Sequence, residues 1–264
     1  MSAPAELILF TDLKSKADNI AKLVLGEAKR LEKKYNYYDP NSLLSKINQR
    51  TENRLDAETK SLLQRAKQYY KLTDKIFDIT IATIKELYIS QKSTSSLIKA
   101  KSTLINFVGC EHFEIKKDKI IFDNKYTKID LGGFVKEYAV DRAVNIIIKN
   151  RIKSALINFG GDIYAIGKKP NGEKFRVGIK NPKDKTKHIK FVEIENQALT
   201  TSASYERNYK IENQDYSHII SKNLSVNNHT SATVISKNCV ESGVFSTSLI
   251  IDPNLRTKNK IFLF

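Results

Sequence analysis

Apolar residues Ile20, Val24, Ala28, Leu31 and Tyr35 recur every three or four positions, whereas beyond residue 104 the apolar runs shorten and alternate. A chain whose period changes from helical to extended in this way has to pack helices against sheet. The helical spacing predicts an amphipathic helix over 17–35, closed before Asp39 and Pro40. Asn41 or Ser42 then caps a short helix running through Leu44 and Ile47, and a third helix follows over 57–72. Alternating runs at 113–115 and 119–122 read as a hairpin, and helical spacing returns over 141–152. Strand-like runs follow at 155–159, 162–166, 175–179, 189–194, 198–201, 218–221 and 232–236, before a final helix over 240–251.

No repeat or low-complexity linker interrupts this order. Residues 1–264 therefore read as one α+β unit with helices packed on largely antiparallel sheet, either as one body or as two intimately joined lobes. The 41% apolar content is enough for a sizeable core. Runs such as 154–159 and 246–251 fall far short of the roughly 20 apolar residues that a membrane span requires. The start of the chain shows neither a secretory pattern nor a lipidation cysteine, so the expected compartment is the cytoplasm if the chain is complete and the periplasm if an export segment was removed.

Cys110 and Cys239 are too few and too far apart for a disulfide scaffold and have no nearby histidine or cysteine for zinc. The net charge of +16 invites a nucleic-acid reading, but the lysines are scattered, with only short clusters such as Lys183, Lys185, Lys187 and Lys190. A solvated basic surface without nucleic-acid binding is the expectation.

Four segments carry residues suited to chemistry. Asp130, Leu131, Gly132, Gly133 and Lys136 put an acid, two glycines and a cation at an expected strand-to-helix junction, where backbone amides favour phosphate. Asp130 as a helix cap and Lys136 as a surface lysine is the plainer reading of this segment taken alone. Gly160 and Gly161 follow an apolar strand, as in a binding loop or a simple turn. Hydroxyls, a tyrosine and an arginine fill 200–207, ahead of Tyr216, Ser217 and His218 at an expected strand start. Hydroxyls and arginine suit phosphate oxygens, and histidine suits proton transfer near neutral pH, although a strand histidine is also a common structural residue. Ile76, Phe77, Asp78, Ile79 and Thr80 look like a strand or turn entering a helix with Asp78 as its cap.

Taken in chain order, these segments resemble the FAD:protein FMN transferases, the ApbE-like flavin transferase family, along nearly the whole chain. Tyr38 with Ser42, Leu44 and Asn48 resembles an early family motif, and 76–80 resembles its phenylalanine, aspartate and threonine motif. Segment 130–141 resembles the aspartate, leucine, glycine, lysine and tyrosine signature, and 155–167 the strand with paired glycines. Segment 201–207 looks like the threonine, serine, tyrosine and arginine motif, and 217–220 like the histidine motif.

The resemblance implies the ApbE-like fold and an enzyme that cleaves FAD with Mg2+, releases AMP and leaves FMN in phosphoester linkage on a threonine or serine of an acceptor flavoprotein. It implies that Tyr38, Ile76, Phe77, Asp78, Asp130, Lys136 and Ile220 line the FAD site, that the Gly133 carbonyl and Thr247 hold the metal, and that His218 is the base. Two departures stand out. Ser221 and Lys222 follow Ile220 where the family has aspartate and proline, and Gly243 stands where the family's metal site has an aspartate four residues before the threonine. The alternative is therefore a relative that binds FAD without efficient transfer. An aspartate restored at position 243 is expected to tighten magnesium binding.

Overall fold

The computed structural model describes residues 4–184, 186–205, 208–222 and 230–264. Lys185, Glu206 and Arg207, which belong to the lysine cluster and the 201–207 motif, lie outside the described residues. The chain opens with strand β1 (Ala5–Leu9) and helices α1 (Lys14–Tyr35), α2 (Leu43–Asn48) and α3 (Ala57–Leu72). Ser42 caps α2 by accepting from the Ser45 N–H, and Asp56 caps α3 by accepting from the Thr59 N–H. Three short helices follow, α4 (Ala82–Lys85), α5 (Leu87–Ser90) and α6 (Thr94–Leu104), then the hairpin β2 (Phe113–Lys116) and β3 (Lys119–Phe122).

Helix α7 (Gly132–Lys149) leads into β4 (Ala155–Phe159), β5 (Asp162–Ile166), β6 (Phe175–Lys180), β7 (His188–Ile194) and β8 (Gln197–Ala203). The small hairpin β9 (Asn208–Ile211) and β10 (Gln214–Ser217) precedes β11 (Ser231–Ser236), α8 (Cys239–Ile251) and β12 (Lys260–Leu263). Among the described residues the main sheet has six strands in the order β1-β4-β5-β8-β11-β12, and every neighbouring pair is antiparallel. This is the α+β architecture with antiparallel sheet that the periodicity implies. No described helix is long and apolar enough to cross a membrane.

Alternation along the strands separates two cores. Ile157, Ile166 and Ala198 face the helices, among Ile20, Val24 and Leu31 of α1 and Val140, Ala143 and Ile147 of α7. The neighbouring Leu156, Ala165 and Leu199 face the opposite side, which the β6–β7 hairpin covers with Phe175, Val177, Ile179 and Val192. Each fully buried aliphatic side chain contributes roughly 1.5–3 kcal/mol, so the pattern fixes which faces α7 and α8 present to the sheet. Both cysteines are buried and free.

Two sequence expectations change, and one open choice is settled. Helix α7 begins at Gly132, at the junction expected beside Asp130 and Lys136, but no strand leads directly into it. Residues 218–221 form a bend beyond the end of β10, not a strand. Gly160 and Gly161, at φ 61° and 96°, form the two-residue turn of the β4–β5 hairpin, because positive φ at both turn positions matches the strand twist. Asn158 Oδ1 accepts from the Gly161 N–H at 2.9 Å and sets Asp162 as the first residue of β5.

Candidate active site

The approach to α7 is held from both sides. Asn48 donates its amide to the Ile129 carbonyl at 2.8 Å and accepts from the Ile129 N–H at 2.8 Å, while the Asp130 N–H donates to the Ile79 carbonyl at 2.8 Å. Asp130 Oδ1 accepts from the Gly132 N–H at 2.8 Å, closing the turn that starts the helix, and Oδ2 takes the Lys85 ammonium at 2.5 Å. Burial pulls the Lys85 ammonium down, but the Asp130 charge and hydrogen bond outweigh it and hold Lys85 above the ordinary lysine range. The same ammonium stands 5.4 Å from the Tyr37 ring and 5.2 Å from the Tyr38 ring, which is 66% exposed. A protected ion pair thus lies beside an open aromatic face.

The Ile76, Phe77 and Asp78 segment is built into the wall behind. The Phe77 N–H donates to Thr73 Oγ1 at 3.0 Å, and its ring centroid is 5.7 Å from that of Phe134 in the first turn of α7. Asp78 Oδ1 accepts from the Thr80 N–H at 2.8 Å and the Thr80 hydroxyl at 2.6 Å, capping the 3-10 turn Ile79–Ile81. Its Oδ2 is buried without a hydrogen-bond partner, and burial pushes Asp78 above the ordinary carboxylate range. The cap reading of Asp78 is therefore correct locally, and it leaves one acceptor oxygen over.

His218 occupies the half-buried bend after β10. Two neighbours anchor it: Ile219 packs in the cluster that holds Ile76, and Ile220 in the cluster formed by Ile84, Leu87, Tyr88 and Leu97. Lys101 donates to the Ser221 carbonyl at 3.3 Å. The bend is thus tied at once to the 76–78 wall and to the α4–α6 helices.

A second polar centre lies between α7, α8 and β5. The Lys136 ammonium pairs with Asp162 Oδ2 at 2.7 Å, and Asp162 is 2% exposed, so Lys136 is not the free surface lysine of the plain reading. Glu137 is buried among these groups, with Oε2 lacking a hydrogen-bond partner. Burial first, then the Asp162 charge, pushes Glu137 far above the ordinary carboxylate range. Asp141 caps α8 by accepting from the Cys239 N–H at 2.7 Å and the Val240 N–H at 3.2 Å, and burial raises it to about 6.

Gly133 departs from helical geometry at φ −92° and ψ 22°, which kinks α7 and turns the Gly133 carbonyl off the helix axis. Thr247 Oγ1 lies 3.1 Å from Ser202 Oγ, which is 2.8 Å from Ser246 Oγ. Glu241 is directed elsewhere, accepting from the Asn259 amide at 3.1 Å. Among the described residues no three His, Cys, Asp or Glu form a metal cluster. A magnesium ion nevertheless takes carbonyl, hydroxyl and carboxylate oxygens with the rest from water and phosphate. The Gly133 carbonyl, the Thr247 hydroxyl and the orphaned Glu137 oxygen are donors of that kind.

The reading of the sequence missed Lys85, Glu137 and the pairing role of Asp162. Lys85 sits in a segment without clear periodicity, but Glu137 carried a signal: it shares the apolar stripe of Phe134, Val140 and Val144, where a carboxylate has no place without a task. A groove of about 440 Å³ lined by Ile47, Arg50, Phe122 and Lys125 shares no residue with either polar centre.

Fold and site together define an α+β protein with an antiparallel sheet and two acid–lysine pairs gathered at the start of one central helix. The chain belongs to the ApbE family, whose family model matches residues 1–259. It is 25% identical over 234 residues to the FAD:protein FMN transferase of Chlamydia pneumoniae, covering 84% of this chain and 72% of that protein. Against the FAD:protein FMN transferase of Vibrio cholerae the figures are 24% over 225 residues, 81% and 67%. The crystal structure of the ApbE protein from Thermotoga maritima superposes with a TM-score of 0.85 at 26% identity, covering 94% of this chain and 83% of that one. The flavin transferase ApbE of Vibrio cholerae shares the fold at a TM-score of 0.75 and 21% identity, covering 98% of this chain and 97% of that one.

Proposed function

We propose that this chain is an FAD:protein FMN transferase that moves FMN from FAD to a threonine or serine hydroxyl of an acceptor flavoprotein and releases AMP. The observation that carries the reading is the chain-long match to relatives of that name, supported by Asp130, Phe77 and Lys136 lying at the start of α7. The flavin lies against the open face of Tyr38, with Asp130 and the walls of Ile76, Phe77 and Ile220 around the nucleotide. Lys136 supplies positive charge beside the diphosphate, shared with Asp162.

The acceptor hydroxyl oxygen forms a bond to the FMN phosphorus, the phosphorus–oxygen bond to AMP breaks, and His218 takes the hydroxyl proton. The Gly133 carbonyl and Thr247 would hold magnesium, which when bound would neutralise diphosphate charge. The rival reading, a relative that binds FAD without efficient transfer, rests on the missing carboxylate at Gly243. That space is filled by the carboxyl group of Glu137.

The test is incubation with FAD, Mg2+ and a candidate acceptor, followed by the acceptor's intact mass. A gain of FMN minus water, abolished when the acceptor hydroxyl is removed, is the expected result. FAD binding without any mass gain across acceptors would favour the rival.

A further inference from the structure

Helices α7 and α8 run antiparallel in a register fixed by two contacts. Asp141 caps Cys239 and Val240, and one turn earlier on α7 Glu137 lies against Gly243, one turn later on α8. One further turn in each direction along this register leads toward Gly133 on α7 and Thr247 on α8. Glu137 therefore stands one turn from the turned carbonyl on its own helix and opposite the position one turn before the Thr247 hydroxyl.

We propose that Glu137 supplies the carboxylate ligand of the divalent cation, standing in from α7 for the side chain that α8 lacks at Gly243. The inference rests on the transferase reading above, and it assigns a ligand that the resemblance does not. Three observations carry it. Glu137 Oε2 is buried without a hydrogen-bond partner, a costly arrangement unless something occupies the site. The adjacent Lys136 ammonium is already engaged by Asp162, and both Asp141 oxygens by the Cys239 and Val240 N–H groups, so Glu137 has no counter-ion of its own among the described residues. A dication meets that lack.

The third observation is steric. A Cβ built on Gly243 would lie 2.5 Å from Glu137 Cγ and 3.0 Å from Glu137 Oε1, so the carboxyl of one helix fills the space where a side chain of the other would stand. A glycine at 243 and an acid at 137 are thus mutually dependent. It follows that Gly243→Asp alone does not tighten magnesium: it drives two acids into one space and destabilises the fold, contrary to the expectation drawn from sequence.

The experiment titrates Mn2+ by its paramagnetic resonance signal, with and without FAD, on the full chain. Wild-type protein is expected to bind Mn2+ weakly alone and more tightly with FAD. Glu137→Gln, which keeps shape and removes charge, should weaken Mn2+ by at least about tenfold, the lower bound for losing even an outer-sphere partner, while metal-free FAD affinity stays within about twofold. A folded Glu137→Gln protein with wild-type Mn2+ affinity overturns the proposal. If that variant does not fold, the double variant Glu137→Gly, Gly243→Asp hands the carboxylate back to α8: near-wild-type Mn2+ affinity supports the exchange, and a folded protein without Mn2+ binding refutes it. If neither variant folds, an anomalous Mn2+ peak in crystals of the wild-type protein decides, at coordination distance from the Glu137 carboxylate or away from it. Failure of wild-type protein to bind FAD at all sinks the transferase reading instead, and the Mn2+ titration without FAD still decides the role of Glu137.

Discussion

The Lys136 ammonium lies 2.7 Å from Asp162 Oδ2 and ties the first turn of α7 to the first residue of β5. The pair joins the two glycine-bearing segments that stand far apart in sequence. Because Asp162 is buried, removing its charge leaves Lys136 largely desolvated and without its close counter-ion. Asp162→Asn is expected to cost about 3 kcal/mol of stability, read as a lower urea midpoint at unchanged slope. A variant as stable as wild type would mean that the desolvation of the buried pair cancels its attraction.

Asn48 offers a second test of how the site is held. Its amide satisfies both backbone groups of the fully buried Ile129, next to Asp130. In Asn48→Ala both are left unmade, and a single unsatisfied buried group already costs roughly 1–3 kcal/mol. A loss of about 3 kcal/mol is expected, again from denaturant unfolding.

Much of this fold was legible because it rests on local rules. The amphipathic spacing of α1, the Ser42 cap and the strand runs of β4, β5 and β11 appear in the chain close to where they were read. What failed was decided at long range. Helices α4–α6 fall in a serine- and lysine-rich stretch whose apolar face packs against Tyr209, Tyr216 and Ile220, more than a hundred residues on. His218 looked like a strand residue because apolar residues follow it, yet the chain bends there just past β10, with the Ile219 N–H donating to Ser217 Oγ at 3.1 Å instead of to a neighbouring strand. For the site, single motifs named Asp130 and Lys136, but no motif reports that Lys85 neutralises one and Asp162 the other.

Acid should loosen the α1–α3 contact at a definable pH. The Glu58 carboxylate accepts from Arg30 and Lys34, and hydrogen bonding to Arg30 above all lowers it from 4.5 to about 2. Its folded value lies below its unfolded value, so the stabilisation is fully present above pH 4.5 and is lost as pH falls through about 2. Glu58→Gln should therefore be less stable than wild type at neutral pH, with the gap closing between pH 4.5 and 2. Thermal melts across that range check it, and a gap independent of pH would exclude the ion pair as its source.

Under the proposed mechanism His218 acts on the acceptor hydroxyl and not on FAD. His218→Ala should slow transfer by roughly a hundredfold to ten-thousandfold while calorimetry shows nearly unchanged FAD affinity. An unaltered transfer rate removes His218 from the chemistry.

Tyr38 separates flavin binding from folding more cleanly than any residue of the buried wall. Its ring is 66% exposed, lies edge-on to Tyr37 at 5.4 Å between centroids, and borders the Lys85 ammonium. Nothing in the core depends on it, so Tyr38→Ala should leave the unfolding free energy within about 0.5 kcal/mol of wild type. The isoalloxazine, in contrast, loses an aromatic platform. Stacking of a planar ring on such a side chain is worth about 1–3 kcal/mol, so FAD should bind roughly tenfold to a hundredfold more weakly. Tyr38→Phe preserves the ring and should bind FAD nearly as wild type does. Equal FAD affinity in Tyr38→Ala and wild type would place the flavin away from this face, and the aromatic pair beside Lys85 would then serve only to shield the Lys85–Asp130 ion pair from water.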